Sequence, residues 1–170
     1  MKRIFALIIL IFMLTSCTVQ PEMSPELFVE RLLEGNETLT ADKENSFYSG
    51  EEFICFISNN GKENYVLKVS SDERSNANKI CLVSDNIKNK QSFVSVAKSI
   101  IKVFACEDES EKILTALFSE NAENFRFYET HRFSYSAYSD SDYAFFSAEN
   151  KTLSQQDEIG LTLKDYADNQ

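Results

Sequence analysis

Apolar residues spaced three and four apart predict three helices. The clearest runs from Gln91 to Cys106, where the apolar positions form one stripe: Phe93, Val96, Ala97, Ile100, Val103 and Phe104. A shorter helix is expected from Glu109 to Ser119, with Asp108 and Glu111 forming a capping box at its start. Its buried positions are Ile113, Leu114 and Leu117.

The remaining helix is predicted at the start of the domain. Ser24 suits the cap, Pro25 suits the first turn, and Gly35 ends the helix. Its apolar face consists of Leu27, Phe28, Leu32 and Leu33. The polar run from Asn36 to Ser46 that follows predicts a loop.

Alternating apolar and polar residues predict strands in two groups. The first group contains Glu52 to Ser58, Glu63 to Ser70 and Lys79 to Ser84, and the second is a hairpin between Phe133 and Ala148. Asn60-Gly61 lies between the first two strands, and this pair supplies the positive φ angles of a type I′ turn.

The length of each turn predicts a register. With two central residues at Asn60-Gly61, Phe56 faces Tyr65 and Ile54 faces Leu67. We place this more apolar face in the core. In the late hairpin the expected pairs are Phe133 with Ala148, Tyr135 with Phe146, and Ala137 with Ala144.

Strands and helices that are grouped along the chain indicate an α+β fold, with helices packed on one face of an antiparallel sheet. The predicted order is α-βββ-αα-ββ(β), in which the optional last strand contains Leu161 and Leu163. We expect one domain over residues 24–150, because no linker interrupts this part of the chain. A polar C-terminal segment over residues 151–170 follows it.

Charge and cysteine content narrow the functional classes. The net charge of −10 argues against nucleic acid as a partner, because phosphate backbones bind basic surfaces. The sequence has no C-x-x-C motif among Cys55, Cys81 and Cys106. It therefore predicts neither a zinc site nor a redox pair of cysteines. In a meander Cys55 and Cys81 lie about 9–10 Å apart, so we expect free thiols rather than a bridge between them.

The first 17 residues have the pattern of an export signal. Met1-Lys2-Arg3 is basic, the segment from Ile4 to Met13 is uncharged, and Leu14-Thr15-Ser16-Cys17 follows. The apolar run is roughly half of the 20 residues that a membrane-spanning helix needs. The alternative to lipid attachment is a soluble secreted protein, since Ser16 also suits an ordinary signal peptidase.

Leu14, Thr15, Ser16 and Cys17 resemble the lipobox of bacterial lipoproteins. The resemblance implies that residues 1–16 are a signal peptide, that Cys17 is thioether-linked to a diacylglycerol, and that residues 17–23 are a short tether. It also implies a protein anchored on the outer side of the cell membrane. Losing Lys2 and Arg3 with the signal brings the net charge from −10 to −12.

In its order of elements and its tyrosine-rich late hairpin, the chain resembles small surface lipoproteins of Gram-positive bacteria. That group has no established activity, so the resemblance implies no catalytic residues and no cofactor.

Three functions are compatible with these patterns. The favoured one is a tethered binding or accessory module for a protein or cell-wall partner. The second is an envelope enzyme that uses His131 and nearby acids, although we expect His131 in a turn between strands. The third is a small-ligand carrier, which requires a closed apolar cavity between helices and sheet.

The expected contact surface is the face of the sheet away from the helices. The register arguments assign to it the apolar residues Phe53, Ile57, Val66, Tyr138, Tyr143 and Phe145. No metal site is expected, because Asp140 and Asp142 lack the glycine and closing glutamate of a calcium loop.

Substituting Cys17→Ala should abolish incorporation of labelled fatty acid, because the thiol is the expected attachment point. The measurement is metabolic labelling followed by electrophoresis of the membrane fraction. Unchanged labelling of the variant would refute lipid attachment at Cys17.

Overall fold

The computed structural model describes residues 23–84, 90–119, 125–139 and 143–151. Three helices and seven strands lie within these ranges. In chain order they are α1 (Pro25–Glu34), β1 (Leu39–Ser49), β2 (Glu52–Asn59), β3 (Glu63–Ser71), β4 (Ala77–Ser84), α2 (Lys90–Phe104), α3 (Glu107–Phe118), β5 (Phe125–Glu129), β6 (Phe133–Ser139) and β7 (Ala144–Asn150).

All seven strands form one antiparallel sheet with the spatial order β1-β2-β3-β4-β7-β6-β5. Strands β1 to β4 therefore precede the α2–α3 pair in the chain, and β5 to β7 follow it. These two halves of the sheet meet where β4 pairs with β7. Helix α1 contacts β1 and β3, α2 contacts β7, and α3 contacts β5 and β6. Buried and less buried residues alternate along the central strands, so the helices cover one face. The predicted α+β class is confirmed.

Helix α1 begins as its sequence predicts. The Leu27 amide donates to the Ser24 side chain at 3.3 Å, and Pro25 occupies the first helical position. The helix ends before Gly35. The predicted apolar face is wrong at one position, because Leu27 is exposed and Val29 is buried in the core.

Helix α2 confirms the predicted apolar stripe, whereas helix α3 corrects the predicted cap. Helix α3 begins at Glu107, after Cys106, and no side chain caps it. The predicted capping box is therefore wrong: Asp108 lies inside the first turn, and the Glu111 carboxylate contacts the Lys98 ammonium at 2.5 Å. Three acidic residues in this turn suit the positive end of the helix dipole, which explains the earlier start.

The polar segment from Asn36 to Ser46 is not a loop, which corrects the sequence prediction. Most of it belongs to β1, an edge strand whose pairing with β2 is interrupted between Asp42 and Phe47. The Asp42 carboxylate accepts hydrogen bonds from the Asn45 backbone and side chain at 3.2 and 2.7 Å. An edge strand that is largely exposed on both faces has no alternating apolar pattern, so its sequence resembles a loop.

The turn at Asn60-Gly61 forms with positive φ angles of 54° and 63°, as predicted. The Lys62 amide donates to the Asn59 carbonyl at 3.1 Å, but strand pairing resumes only with Glu63 opposite Asn59. Lys62 is thus one residue more than the predicted turn contains. Because side chains alternate, this single residue reverses the predicted faces of β2 relative to β3.

The reversed register exchanges buried and exposed residues on β2. Cys55 and Ile57 face the helices and are each 1% exposed, whereas Phe56 faces away and is 38% exposed. Ile57 pairs with Tyr65, and Cys55 pairs with Leu67. The predicted pairs Phe56–Tyr65 and Ile54–Leu67 are therefore wrong.

The late hairpin differs from its prediction by two residues. Phe146 pairs with Ala137, and Ala148 pairs with Tyr135. A shift of two residues keeps every side chain on its predicted face, so the core positions are correct. The third strand of this group is β5; the strand predicted at Leu161 and Leu163 lies outside the described residues.

Aromatic rings connect the first helix to the last hairpin. Phe28 of α1 stacks on Phe104 of α2 with ring centroids 5.2 Å apart, and Phe104 lies 4.9 Å from Phe133 of β6. Phe133 is in turn 5.9 Å from Tyr135. Such ring pairs contribute about 0.5–1.5 kcal/mol each beyond their buried area. The core is therefore continuous across both halves of the sheet.

The three cysteines in the described chain are free thiols. Cys55 faces the helices, whereas Cys81 lies on the opposite face of the sheet, in register with Lys68. Burial raises the pKa of both thiols. The sheet itself therefore separates the two cysteines.

Adding reductant should leave the thermal midpoint unchanged, because none of these thiols cross-links the fold. The measurement is circular dichroism melting with and without a phosphine reductant. A sharp drop in the midpoint would show that a disulfide stabilises the domain.

Candidate interaction face

The face of the sheet away from the helices, here the outer face, is organised in rows. Antiparallel registers place one outward residue of each strand beside the next, so the rows run across the strands. The apolar row crosses six strands from β2 to β5, and its members are Phe56, Val66, Val83, Phe145, Tyr138 and Phe125. Five strand spacings make it about 24 Å long.

Exposure is highest at the two ends of the apolar row. Phe125 is 60% exposed and Phe56 is 38% exposed, while the four central members are partly shielded by their neighbours. Tyr143 lies beside the row, with its ring 6.1 Å from that of Tyr138. Such a contiguous apolar strip on an open sheet is typical of a contact surface.

The next row along the strands, the mixed row, is apolar only at its ends. It contains Phe47, Ile54, Lys68, Cys81, Ser147, Ser136 and Phe127. At its centre the side chains project little above the sheet, because the small residues Cys81, Ser147 and Ser136 are neighbours there. The Ser136 and Ser147 hydroxyls form a 2.8 Å hydrogen bond.

The third row, the charged row, contains Glu52, Ser70, Lys79, Glu149, Ser134 and Glu129. Its three carboxylates each contact a lysine: Lys79 lies 3.0 Å from Glu149, Lys68 lies 4.0 Å from Glu52, and Lys151 lies 3.1 Å from Glu129. The hydrogen bond that the Lys79 ammonium donates to the Glu149 carboxylate raises the pKa of Lys79. This side of the outer face is therefore charged but locally balanced.

Two open depressions lie at the β1 end of the apolar row. They have volumes of about 640 and 390 Å³, and both are lined by Asp42 and Phe56. They are surface features of the bulged edge strand and do not lie between the helices and the sheet. Neither is the enclosed apolar cavity that a small-ligand carrier requires.

The described residues contain no group of three or more histidine, cysteine or acidic side chains that could hold a metal ion. His131 is exposed in the turn between β5 and β6, where the sequence predicted it. Asp140 and Asp142 lie outside the described residues.

The structure places four of the six predicted contact residues on or beside the outer face. Val66, Tyr138 and Phe145 belong to the apolar row, and Tyr143 lies next to it. The assignments of Phe53 and Ile57 are wrong: both lie on the helix side, and Ile57 is buried. The physical reason is the extra turn residue Lys62, which reverses β2 relative to the prediction.

The predicted contact surface omits six apolar residues of this face: Phe47, Ile54, Phe56, Val83, Phe125 and Phe127. The predicted register places Phe56 and Ile54 in the core, and it assigns Val83, within the predicted strand from Lys79 to Ser84, to neither face. Phe125 and Phe127 alternate with Arg126 and Tyr128, and this alternation was the available signal for β5.

The predicted lipidation residues Leu14, Thr15, Ser16 and Cys17 lie outside the described residues. The expected tether ended at Met23, but Met23 is buried in the core. Its carbonyl accepts a 2.8 Å hydrogen bond from the Ala77 amide, the first residue of β4. The chain therefore enters the domain at the end of a central strand. None of the described helices is long and apolar enough to cross a membrane.

Comparison with protein-family models, curated proteins and solved structures finds no match to this chain.

Replacing Phe125 with Ser should change the free energy of unfolding by less than about 0.5 kcal/mol, because the ring is mostly exposed. Replacing the fully buried Phe146 with Ser should cost roughly 3–5 kcal/mol. Urea denaturation of the two variants measures the difference. Equal losses would mean that the outer face is covered.

Proposed function

We propose that this chain is a lipid-anchored, extracytoplasmic binding module that contacts a protein partner through its outer face. The lipobox resemblance at Leu14 to Cys17 supports the anchor, and the apolar row supports the contact surface. The proposed role is binding or accessory rather than catalytic.

The position of Met23 supports a close association with the membrane. Because Met23 is packed in the domain, only the five residues 18–22 separate a lipidated Cys17 from the folded body. Five residues span at most about 18 Å. The end of β4 that contacts Met23 would therefore be held near the membrane surface, and the outer face would stand beside it.

The single observation that carries the contact proposal is the continuity of the apolar row. Six strands each contribute one outward apolar residue at the same level of the sheet. Core-facing side chains are already buried against the helices, so the row adds nothing to that core. Exposed aromatics at its ends can anchor a partner, since aromatic residues dominate binding energy at protein interfaces.

A photoreactive phenylalanine derivative at Phe125 should cross-link to a partner in living cells. The matched control is the same derivative at Leu27, which is 38% exposed on the helix side of the molecule. We expect adducts from position 125 and none above background from position 27. Adducts of equal yield, or none from position 125, would contradict the outer face as the contact surface.

A further inference from the structure

We propose that the partner of the outer face is a second copy of the chain, packed face to face about a two-fold axis parallel to β4 and β7. This inference rests on the proposed function, since it uses the same face and the same anchor. It adds the identity of the partner and the geometry of the complex.

The apolar row is self-complementary under this rotation. Its midpoint lies between β4 and β7, so the axis places each strand of one half opposite a strand of the other half. Val83 then faces the second copy's Phe145, and Val66 faces the second copy's Tyr138. In both pairs a small valine lies opposite a large aromatic ring. Such pairs suit two packed sheets, whose separation is about 10 Å.

The charged row is complementary at its centre under the same rotation, whereas at its two ends Glu52 meets the second copy's Glu129, each beside its own lysine. Lys79 and Glu149 are paired neighbours on β4 and β7, one on each side of the axis. The rotation brings Lys79 of each copy opposite Glu149 of the other, so the interface gains two contacts between unlike charges. The mixed row agrees, because apolar Ile54 meets the second copy's Phe127 and small Cys81 meets its Ser147.

Local charge balance makes self-association possible for an acidic chain. The chain carries a net charge of −10, which opposes self-association at long range. On the charged row, however, each carboxylate already contacts a lysine. A strongly basic partner would gain little there, because it would have to displace these lysines. A face with balanced charge is better matched by another copy of itself.

Membrane attachment requires the same axis. Two proteins anchored in one leaflet form a symmetric pair only if the two-fold axis is normal to the membrane. Met23 meets the sheet at the first residue of β4, so the anchor leaves from one end of the central strands. An axis parallel to these strands keeps both anchors on the same side.

The size of the face predicts a weak dimer that depends on anchoring. The three rows cover about 24–29 Å across the strands and about 14 Å along them, or roughly 400 Å² of projected area per copy. Standard interfaces bury about 800 Å² of accessible surface per partner, so this one is small. Confinement to a membrane raises the effective concentration and compensates for weak pairing.

The test uses lipidated protein reconstituted into zwitterionic vesicles, with energy transfer between donor-labelled and acceptor-labelled copies. Cys106 is exposed on the helix side and takes the label, since burial raises the pKa of Cys55 and Cys81 and slows their reaction. Wild-type protein should show transfer above that of randomly distributed copies. The K79E and E149K variants, each measured alone, should dimerise about tenfold more weakly, because each places like charges across the interface.

Mixing the two variants gives the decisive measurement. K79E and E149K together restore both contacts between copies, whereas the pair within each chain stays broken. Weakening of each variant alone followed by recovery of energy transfer in the mixture is therefore the result expected from the proposed two-fold axis. If the mixture dimerises no more strongly than either variant alone, the proposed axis is overturned. Any dimer still present in that mixture would have a different axis.

A second variant tests the apolar row independently. Val83→Lys should weaken dimerisation by at least about tenfold, and Leu27→Lys on the helix side should leave it unchanged. Melting curves establish whether both variants are folded, and if Val83→Lys is not, the charge variants, which alter exposed side chains, decide. Dimerisation that survives a folded Val83→Lys overturns the proposal.

The failure of this inference differs from the failure of the proposed function. Random transfer in vesicles, with adducts of a different protein at position 125, removes the second copy but leaves the binding module. Dimerisation seen only after residues 152–170 are removed would mean that the chain's own C-terminal segment covers the face, and would overturn the inference for the intact protein. Absence of lipid on Cys17 would overturn the anchored dimer, because its weak pairing depends on confinement to the membrane.

Discussion

The register between β2 and β3 is the constraint on which the rest of the sheet depends. Asn60, Gly61 and Lys62 set it, and pairing begins with Asn59 opposite Glu63. This choice puts Cys55 and Ile57 under the helices and Phe56 on the outer face. A turn one residue shorter would reverse β2 and replace Cys55 and Ile57 in the core with Ile54 and the bulkier Phe56. The longer turn is what adds Phe56 of β2 to the apolar row.

The pairing of β4 with β7 is the second structural determinant, because it joins segments that are far apart in the chain. Leu82 faces Phe146 on the helix side of this pair, while Val83 faces Phe145 on the outer side. Both faces of the two central strands are therefore apolar near the same level. The described residues cover only one face of the sheet, so packing against the helices does not account for the outward half of this pattern, and this is the observation behind the proposed contact surface.

Sequence patterns predicted the parts of this fold that have a regular apolar period. The α2 stripe and the core positions of β6 and β7 were correct because burial imposes the period. Edge strand β1 was missed because exposed strands carry no such period, and two of the six predicted contact residues, Phe53 and Ile57, were misplaced through the one-residue error at Lys62. Turn dipeptides indicate that a hairpin forms, but the residue that resumes pairing depends on side-chain packing. The Cys17 anchor lies outside the described residues, so it stays a prediction of the sequence alone.

The distribution of charge gives the outer face its specificity. In the proposed location beside a membrane, the acidic domain would be repelled by anionic lipid, and its net charge would repel other copies at a distance. At contact, the ion pairs of Lys79 with Glu149 and of Lys68 with Glu52 hold lysines beside the carboxylates, so the local field is weak. Long-range repulsion then suppresses contacts through the other surfaces, whereas the outer face retains an apolar strip and balanced charge. An acidic net charge is therefore compatible with self-association, provided that it is restricted to this one face.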